Sequence, residues 1–470
     1  MRQRLVGITV LPEFLQVEGV DAVLDNMVMK AGANAVTTSP YVMEAADERT
    51  GVREPPDDAG AGAVRLLDRP LWGKRELFVR TAPSFVPQTA LYRGLRYQPA
   101  EPTALIRQDG HVVQDLIRAA QSRHLKVYPQ VQAAIPPGYR VQFGGPMDED
   151  RPRLPDGRLP PKRLAKNGSL ASRPIVYYTH ALIRDLCRVY PDIDGIRFDW
   201  PEYPPYLLDD LFLDFSEPAK DASERLGFDF ARMQRDSLTL YRKLNGGLTD
   251  ADLAAWLDDD GGRYSLARWM ANYPGVLALA GFKAALVAEL LAGFRRTMNE
   301  ARAERMELIA HASPPPWNLA SGIDFARSGD VSGYCVKLYT MHWAMMLRFY
   351  ANQLLAANRG LSDRLLGQVL VRLLDIADDR GLAKATDYHY SEPNEPHPAG
   401  SKAMQRKIQQ ARREAGDTPV FALAHGYGPA ADFRRRLAVA WDASPAGIWI
   451  NRYGYLSDEK LQIIGEITRR

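Results

Sequence analysis

Residues 194–203 read "DGIRFDWPEY", and the fold turns on how this stretch is understood. In an extended segment successive side chains point to opposite faces, so Ile196 and Phe198 share one side while Arg197 and Asp199 share the other. A strand in an ordinary core would end in a plain turn. This one ends in a carboxylate, a tryptophan, a proline and a second carboxylate, Glu202. The pattern predicts a strand with one apolar face packed on helices and one charged face looking into a polar interior.

Seven further segments have the same β-branched or aromatic character: 4–11, 33–38, 125–132, 307–312, 333–340, 419–425 and 446–452. Helical stretches at 20–31, 111–123, 176–189, 281–305, 343–357, 361–374 and from about 457 separate many of them, an alternation that calls for parallel strands joined by crossover helices. Parity repeats the message of the opening stretch. Lys126, Tyr128 and Gln130 share one side of the third segment and Lys337 and Tyr339 one side of the sixth, while Val127, Val131, Val336 and Leu338 take the outer sides. Polar residues facing one way suit the lumen of a closed barrel better than an open doubly wound sheet, and no GxGxxG or P-loop opens a helix. The expected fold is therefore α/β, a (β/α)8 TIM barrel over residues 1–470 as a single domain. Long insertions at 41–110, 138–175, 203–280 (helical, with a break at "LDDDGGRY") and 377–400 would crowd the rim at the strand C-termini and wall a deep cleft.

Sixty basic and 57 acidic residues give a formal charge of +3, so nothing marks a nucleic-acid or anionic-membrane partner, and Arg434-Arg435-Arg436 reads as a solvated helix face. The two cysteines, Cys187 and Cys335, have no metal-ligand spacing and make a disulfide framework improbable, which fits a reducing, cytoplasmic setting. The start "MRQRLVGITVLPEF" is interrupted by Pro12 and Glu13 before it takes signal-peptide form and is read as a first strand. No uninterrupted run of about 18 apolar residues is present, so no membrane span is expected. Oligomeric state is not encoded in these patterns.

In a barrel the strand C-termini carry the chemistry. The first strand offers Glu13; the third Tyr128 and Gln130; the fourth Arg197, Asp199 and Glu202; the fifth His311 and Trp317. The sixth offers Lys337, Tyr339 and His342, the seventh His425, the eighth Asn451 and Tyr453. Carboxylates, imidazoles, amides and aromatic rings are what a carbohydrate substrate requires: rings stack on sugar faces, amides and charges bind hydroxyls, and carboxylates act at the anomeric carbon. No cofactor or metal is expected, and no GxSxG elbow is present.

The stretch "DGIRFDWPEY" resembles the fourth-strand motif of glycoside hydrolase barrels. Gly195, Arg197 and Asp199 reproduce the Gly-x-Arg-x-Asp of the alpha-amylase family, and the longer form with Trp200, Pro201 and Glu202 is similar to that of uncharacterised bacterial glycosyl-hydrolase-like barrels. The resemblance implies a nucleophilic Asp199 held by Arg197. It stops there: His311 stands where that family would carry a glutamate general acid, and His425-Gly426 where it would carry His-Asp.

Glycosidic hydrolysis needs two carboxyl groups, roughly 5 Å apart for retention and about 6.5–9.5 Å for inversion. Asp199 beside Arg197 is expected to stay ionised as nucleophile or base, and Glu202, wedged among Trp200, Pro201, Tyr203 and Pro204, to act as the acid. Glu13 is the alternative from across the mouth; Asp378, Glu392 and Glu395 are further loop carboxylates. Three competing readings stand beside this one: a structural Arg197–Asp199 ion pair, a metal-dependent sugar isomerase, epimerase or lyase using His311 and His425, and a barrel that binds carbohydrate without turnover.

Overall fold

The computed structural model describes residues 3–469 except 46, 48, 50–51, 54–66, 73–76, 140–143, 259–260, 303–305, 328–329 and 380. Eight parallel strands close into a barrel. In chain order they are β1 (Leu5–Thr9), β2 (Ala35–Thr38), β3 (Lys126–Gln132), β4 (Gly195–Asp199), β5 (Glu307–Ala312), β6 (Gly333–Leu338), β7 (Val420–His425) and β8 (Gly447–Asn451). Closure runs through β1, which pairs with β8 and with β2, so that Gly7 lies opposite Trp449 on one side and Ala35 on the other. The protein is a (β/α)8 TIM barrel, and every predicted strand segment contributes one of its staves.

Side-chain parity is as the alternation demands. Ala35, Tyr128, Ile309, Cys335, Phe421, Leu423 and Trp449 fill the lumen as a cluster of their own. Val127, Val131, Ile196, Phe198, Val336 and Leu338 belong to the larger core between barrel and helices. Phe198 stacks on Phe294 of the helix Pro274–Ala301 with ring centres 4.6 Å apart. That helix is long and apolar enough to cross a membrane by length and composition. Here it packs against the helices Arg173–Val189 and Phe230–Leu244 and carries Lys283 and Glu289 within its apolar run.

The insertions are mostly ordered. After β2 the chain forms a hairpin of Tyr41–Met43 with Thr81–Pro83, while residues 54–66 of that insertion lie outside those described. After β4 come four helices, Glu217–Arg225, Phe230–Leu244, Asp250–Leu257 and Gly262–Ala271, the first three capped by Ser216, Asp229 and Thr249. The expected break falls between the third and fourth. Two long helices have no counterpart among the sequence-predicted ones, Ser401–Ala415 before β7 and Ala430–Ala443 before β8. The first buries Ala403, Met404, Lys407, Ile408 and Ala411, a helical stripe built from small residues and a lysine that a hydrophobicity pattern passes over.

The lumen is packed by matching large against absent side chains. A Cβ placed on Gly7 would sit 2.2 Å from the Trp449 indole. We therefore expect Gly7→Ala to lower stability by about 1–3 kcal/mol through overpacking, read as a lower urea midpoint at unchanged slope; unaltered stability would show that the barrel interior is looser than this contact implies.

Candidate active site

Arg197 is buried in the lumen, its guanidinium carbon 3.9 Å from the Trp449 ring centre. One Nη2 contact reaches His311 Nε2 at 2.7 Å, and His311 Nδ1 lies 3.0 Å from Asp199 Oδ1. Arginine has only donors, so it must donate to Nε2, and the ring proton is confined to Nδ1, which donates to Asp199. Burial pushes His311 down to about 4, with Arg197 adding to the shift against the opposing pull of Asp199. The ring is thus a neutral relay of fixed tautomer. Cys335, 3.7 Å from the same guanidinium, is a thiol that burial pushes up to about 11, and it is inert packing.

Asp199 closes β4 and keeps 17% of its side chain exposed. Its Oδ1 meets His311, the Lys337 ammonium at 2.9 Å and the backbone N–H of Trp200 at 3.0 Å. Among the described residues no hydrogen bond reaches Oδ2. Burial alone would raise this carboxyl, but the Lys337 charge, followed by His311, outweighs it and holds the group well below the usual carboxylate range. Trp200 turns the chain away with φ of +50°, a left-handed backbone that costs a non-glycine residue about 1–2 kcal/mol. Its indole comes to rest 5.5 Å from Lys337 Nζ.

Glu202 overturns one expectation. Its side chain is 0% exposed. It accepts from the Ser313 N–H (3.1 Å), the Ser313 hydroxyl (2.9 Å) and the Ser321 hydroxyl (2.6 Å), with Lys337 Nζ at 3.8 Å. Because both carboxylates touch one ammonium, their nearest oxygens are within about 7 Å, a separation glycosidase pairs do use. Distance is not the obstacle. A proton donor must reach the leaving oxygen, and Glu202 is sealed behind two serines as a counter-charge and an anchor for the loop after β5.

Other sequence-derived residues separate into mouth and scaffold. Lys337, Tyr339, His342 and Trp317 line a pocket beside Asp199, together with Trp200, Tyr206 and Trp343. His425 is buried with its ring centre 5.0 Å from Tyr339, and its Nδ1 accepts from the Tyr427 N–H. Gln130 lies opposite Arg197 inside the lumen and Asn451 ends β8 beside His425. Tyr128 is not a cleft residue: it is fully buried, its ring edge on Trp449 and its hydroxyl donating to Glu307 at the start of β5. Nor is Tyr453, buried against Phe14 with its hydroxyl bonded to Glu18 and Asn26. Glu13 is buried on the short helix after β1 and accepts from the Tyr41 hydroxyl at 2.7 Å. Asp378 caps the helix Ser401–Ala415 through Lys402 and Ala403, and Glu395 pairs with His389 on the surface.

Sequence reasoning missed Thr9, Ser313, Ser321, Trp449 and Lys407, all of which hold site residues in place. Thr9 and Ser313 stand beside strand ends, whereas Ser321, Trp449 and Lys407 carry no such signal. Among the described residues no group of three or more His, Cys, Asp or Glu side chains converges as a metal site. A roomier concavity of about 920 Å³, lined by Gln16, Glu44, Trp72, Asp109 and Arg118 among others, shares none of these residues.

No protein-family model matches the chain. No curated protein matches it either. Solved structures resemble it at low identity. A beta-galactosidase from the psychrophilic Marinomonas ef1 is 10% identical, with a TM-score of 0.48 over 99% of this chain and 59% of that one, so this chain spans about three-fifths of its length. The catalytic domain of a beta-amylase from Paenibacillus polymyxa is 11% identical, with a TM-score of 0.47 over 97% and 94%. A class V chitinase from Pseudomonas fluorescens Pf-5 is 11% identical, with a TM-score of 0.37 over 99% and 100%. At such identity and with every TM-score below 0.5, these likenesses carry no argument about what this chain does.

The relay sets a pH dependence of stability. His311 titrates near 6.5 when unfolded and at about 4 when folded, so between those values the unfolded chain binds more protons and stability falls as pH falls. Asp199, depressed in the fold, adds a loss in the same direction below about pH 4. We expect a drop of a few kcal/mol from pH 6.5 to 4 that is shallower by up to one proton in His311→Asn. Identical slopes in chemical denaturation across that window would contradict a neutral, buried His311.

Proposed function

We propose that the protein is a glycoside hydrolase in which Asp199 acts at the anomeric carbon through Oδ2. The observation that carries this reading is the unequal treatment of the two carboxylate oxygens. Oδ1 is held by two hydrogen-bond donors and faces the Lys337 ammonium, which fixes the group and keeps it ionised; Oδ2 is left with its lone pairs at a partly exposed strand end. That is the arrangement required of a nucleophile, or of a base that orients water. The surrounding tryptophan and tyrosine rings offer flat apolar faces to a pyranose, and the Lys337 ammonium is within reach of a ring hydroxyl.

The leaving oxygen needs a proton that Asp199, being ionised, does not hold. Glu202 is sealed and Glu13 is bonded to Tyr41, so neither carboxyl is open to the mouth in this state. Substrates whose leaving group departs without protonation are therefore expected to react best. The same sealed Glu202 favours a second reading, a barrel that binds a sugar without cleaving it.

Glycosyl fluorides and dinitrophenyl glycosides need no acid and so isolate the role of Asp199. The expected result is turnover by the natural protein and a loss of at least about 10³-fold in kcat/KM for Asp199→Ala with the fold retained. Binding without turnover would select the second reading. Full activity in Asp199→Ala would remove the proposal.

A further inference from the structure

Beside Asp199 the mouth narrows into a small pocket between the ends of β5 and β6, walled by Trp200, Tyr206, Trp317, Trp343 and Met346. Its volume is about 30 Å³, room for one or two water-sized groups, since a single water needs about 10–15 Å³. A sugar ring does not fit; a substituent of one does. The exposed wall is carbon almost throughout. Lys337, Ser313, Tyr206, Tyr339 and His342 bring polar groups to its edge; of these the Lys337 ammonium is on Asp199 and the Ser313 hydroxyl donates to Glu202.

The wall is also braced. Lys407, buried on the helix Ser401–Ala415, places Nζ 4.7 Å from the ring centre of Trp317 and 5.0 Å from that of Trp343. The same ammonium donates to the carbonyl oxygens of Pro315 (2.6 Å) and Leu374 (2.7 Å). The two indoles lie 6.0 Å apart. Swinging either one outward to widen the pocket would strip a desolvated cation of an aromatic face, so the wall resists reshaping around a larger or polar group.

We propose that this pocket receives the exocyclic methyl group of a 6-deoxy sugar and selects it over the hydroxymethyl group of the parent hexose. The inference rests on the reading of Asp199 as the group acting at the anomeric carbon. A methyl fills the space and buries no polar atom. A hydroxymethyl would bury a hydroxyl against a wall that is carbon almost throughout.

The test is a set of matched aryl glycosides that differ only by the oxygen at C6: fucosides against galactosides and rhamnosides against mannosides, in both anomers. The expected result is a kcat/KM ratio of about 10- to 10²-fold in favour of the 6-deoxy member of whichever pair is turned over. Met346→Ala, which enlarges the pocket, should bring that ratio towards unity chiefly by slowing the 6-deoxy member. Equal or reversed preference in the natural protein overturns the pocket assignment and leaves the hydrolase reading intact. If no pair is turned over, tryptophan fluorescence titration with the free sugars decides. Preferential binding of the 6-deoxy member keeps the pocket and removes the hydrolase, whereas equal or absent binding removes the pocket as well.

Discussion

A guanidinium on the barrel axis governs the rest of the site. Arg197 has no solvent and no carboxylate directly on it; its charge is met by the face of Trp449 and by the lone pair of His311 Nε2. Taking an arginine out of water is expensive unless its donors are used; Nε finds no hydrogen-bond partner here, but the Nη2 bond to His311 has a chemical consequence. By claiming Nε2 the arginine leaves the imidazole one place for its proton, and that proton points at Asp199. A lysine in its place, a point charge with three rotatable donors, would not impose the same planar geometry. The absent Cβ of Gly7 belongs to the same constraint, because it makes room for the Trp449 ring on which the arginine rests.

Glu202 and Asp199 show how little spacing says about role. They are three residues apart, touch the same lysine and lie at a separation suited to catalysis. What divides them is solvation: one has an oxygen with no partner and a partly open side chain, the other has donors on both oxygens and no exposure. A buried carboxylate so completely bonded is a structural element whose removal would leave two serines without their acceptor.

The barrel was legible because period-two alternation survives in single strands, and the parity of Arg197 and Asp199, of Cys335 and Lys337, or of Val127 and Val131 is the parity the structure has. Parity reports in or out but not height along the axis. Tyr128 faces inward as read, yet it sits low enough in β3 to bond Glu307 at the entry of β5, one layer beneath the mouth. Tyr453 lies beyond β8 in a short turn that folds back on Phe14, where alternation no longer applies. Ser313, Ser321 and Lys407 reach the site only through loop and helix packing, which leaves no periodic trace. The helix bearing Lys407 was passed over because its buried stripe is made of alanines, a methionine, an isoleucine and the lysine itself.

The ionised groups at the mouth balance in sign. Arg197 and Lys337 are cationic, Asp199 and Glu202 anionic, and His311 is held neutral between them. A site with paired charges can stay partly desolvated without a ligand, because no net charge needs water to offset it. Among the described residues no hydrogen bond reaches Oδ2 of Asp199, the one of its two oxygens left open at the strand end. Any positive charge that develops on a bound group would therefore meet that oxygen first, inside a surround of tryptophan and tyrosine whose low polarity strengthens the attraction. A neutral ground state becoming cationic as a glycosidic bond breaks matches this field.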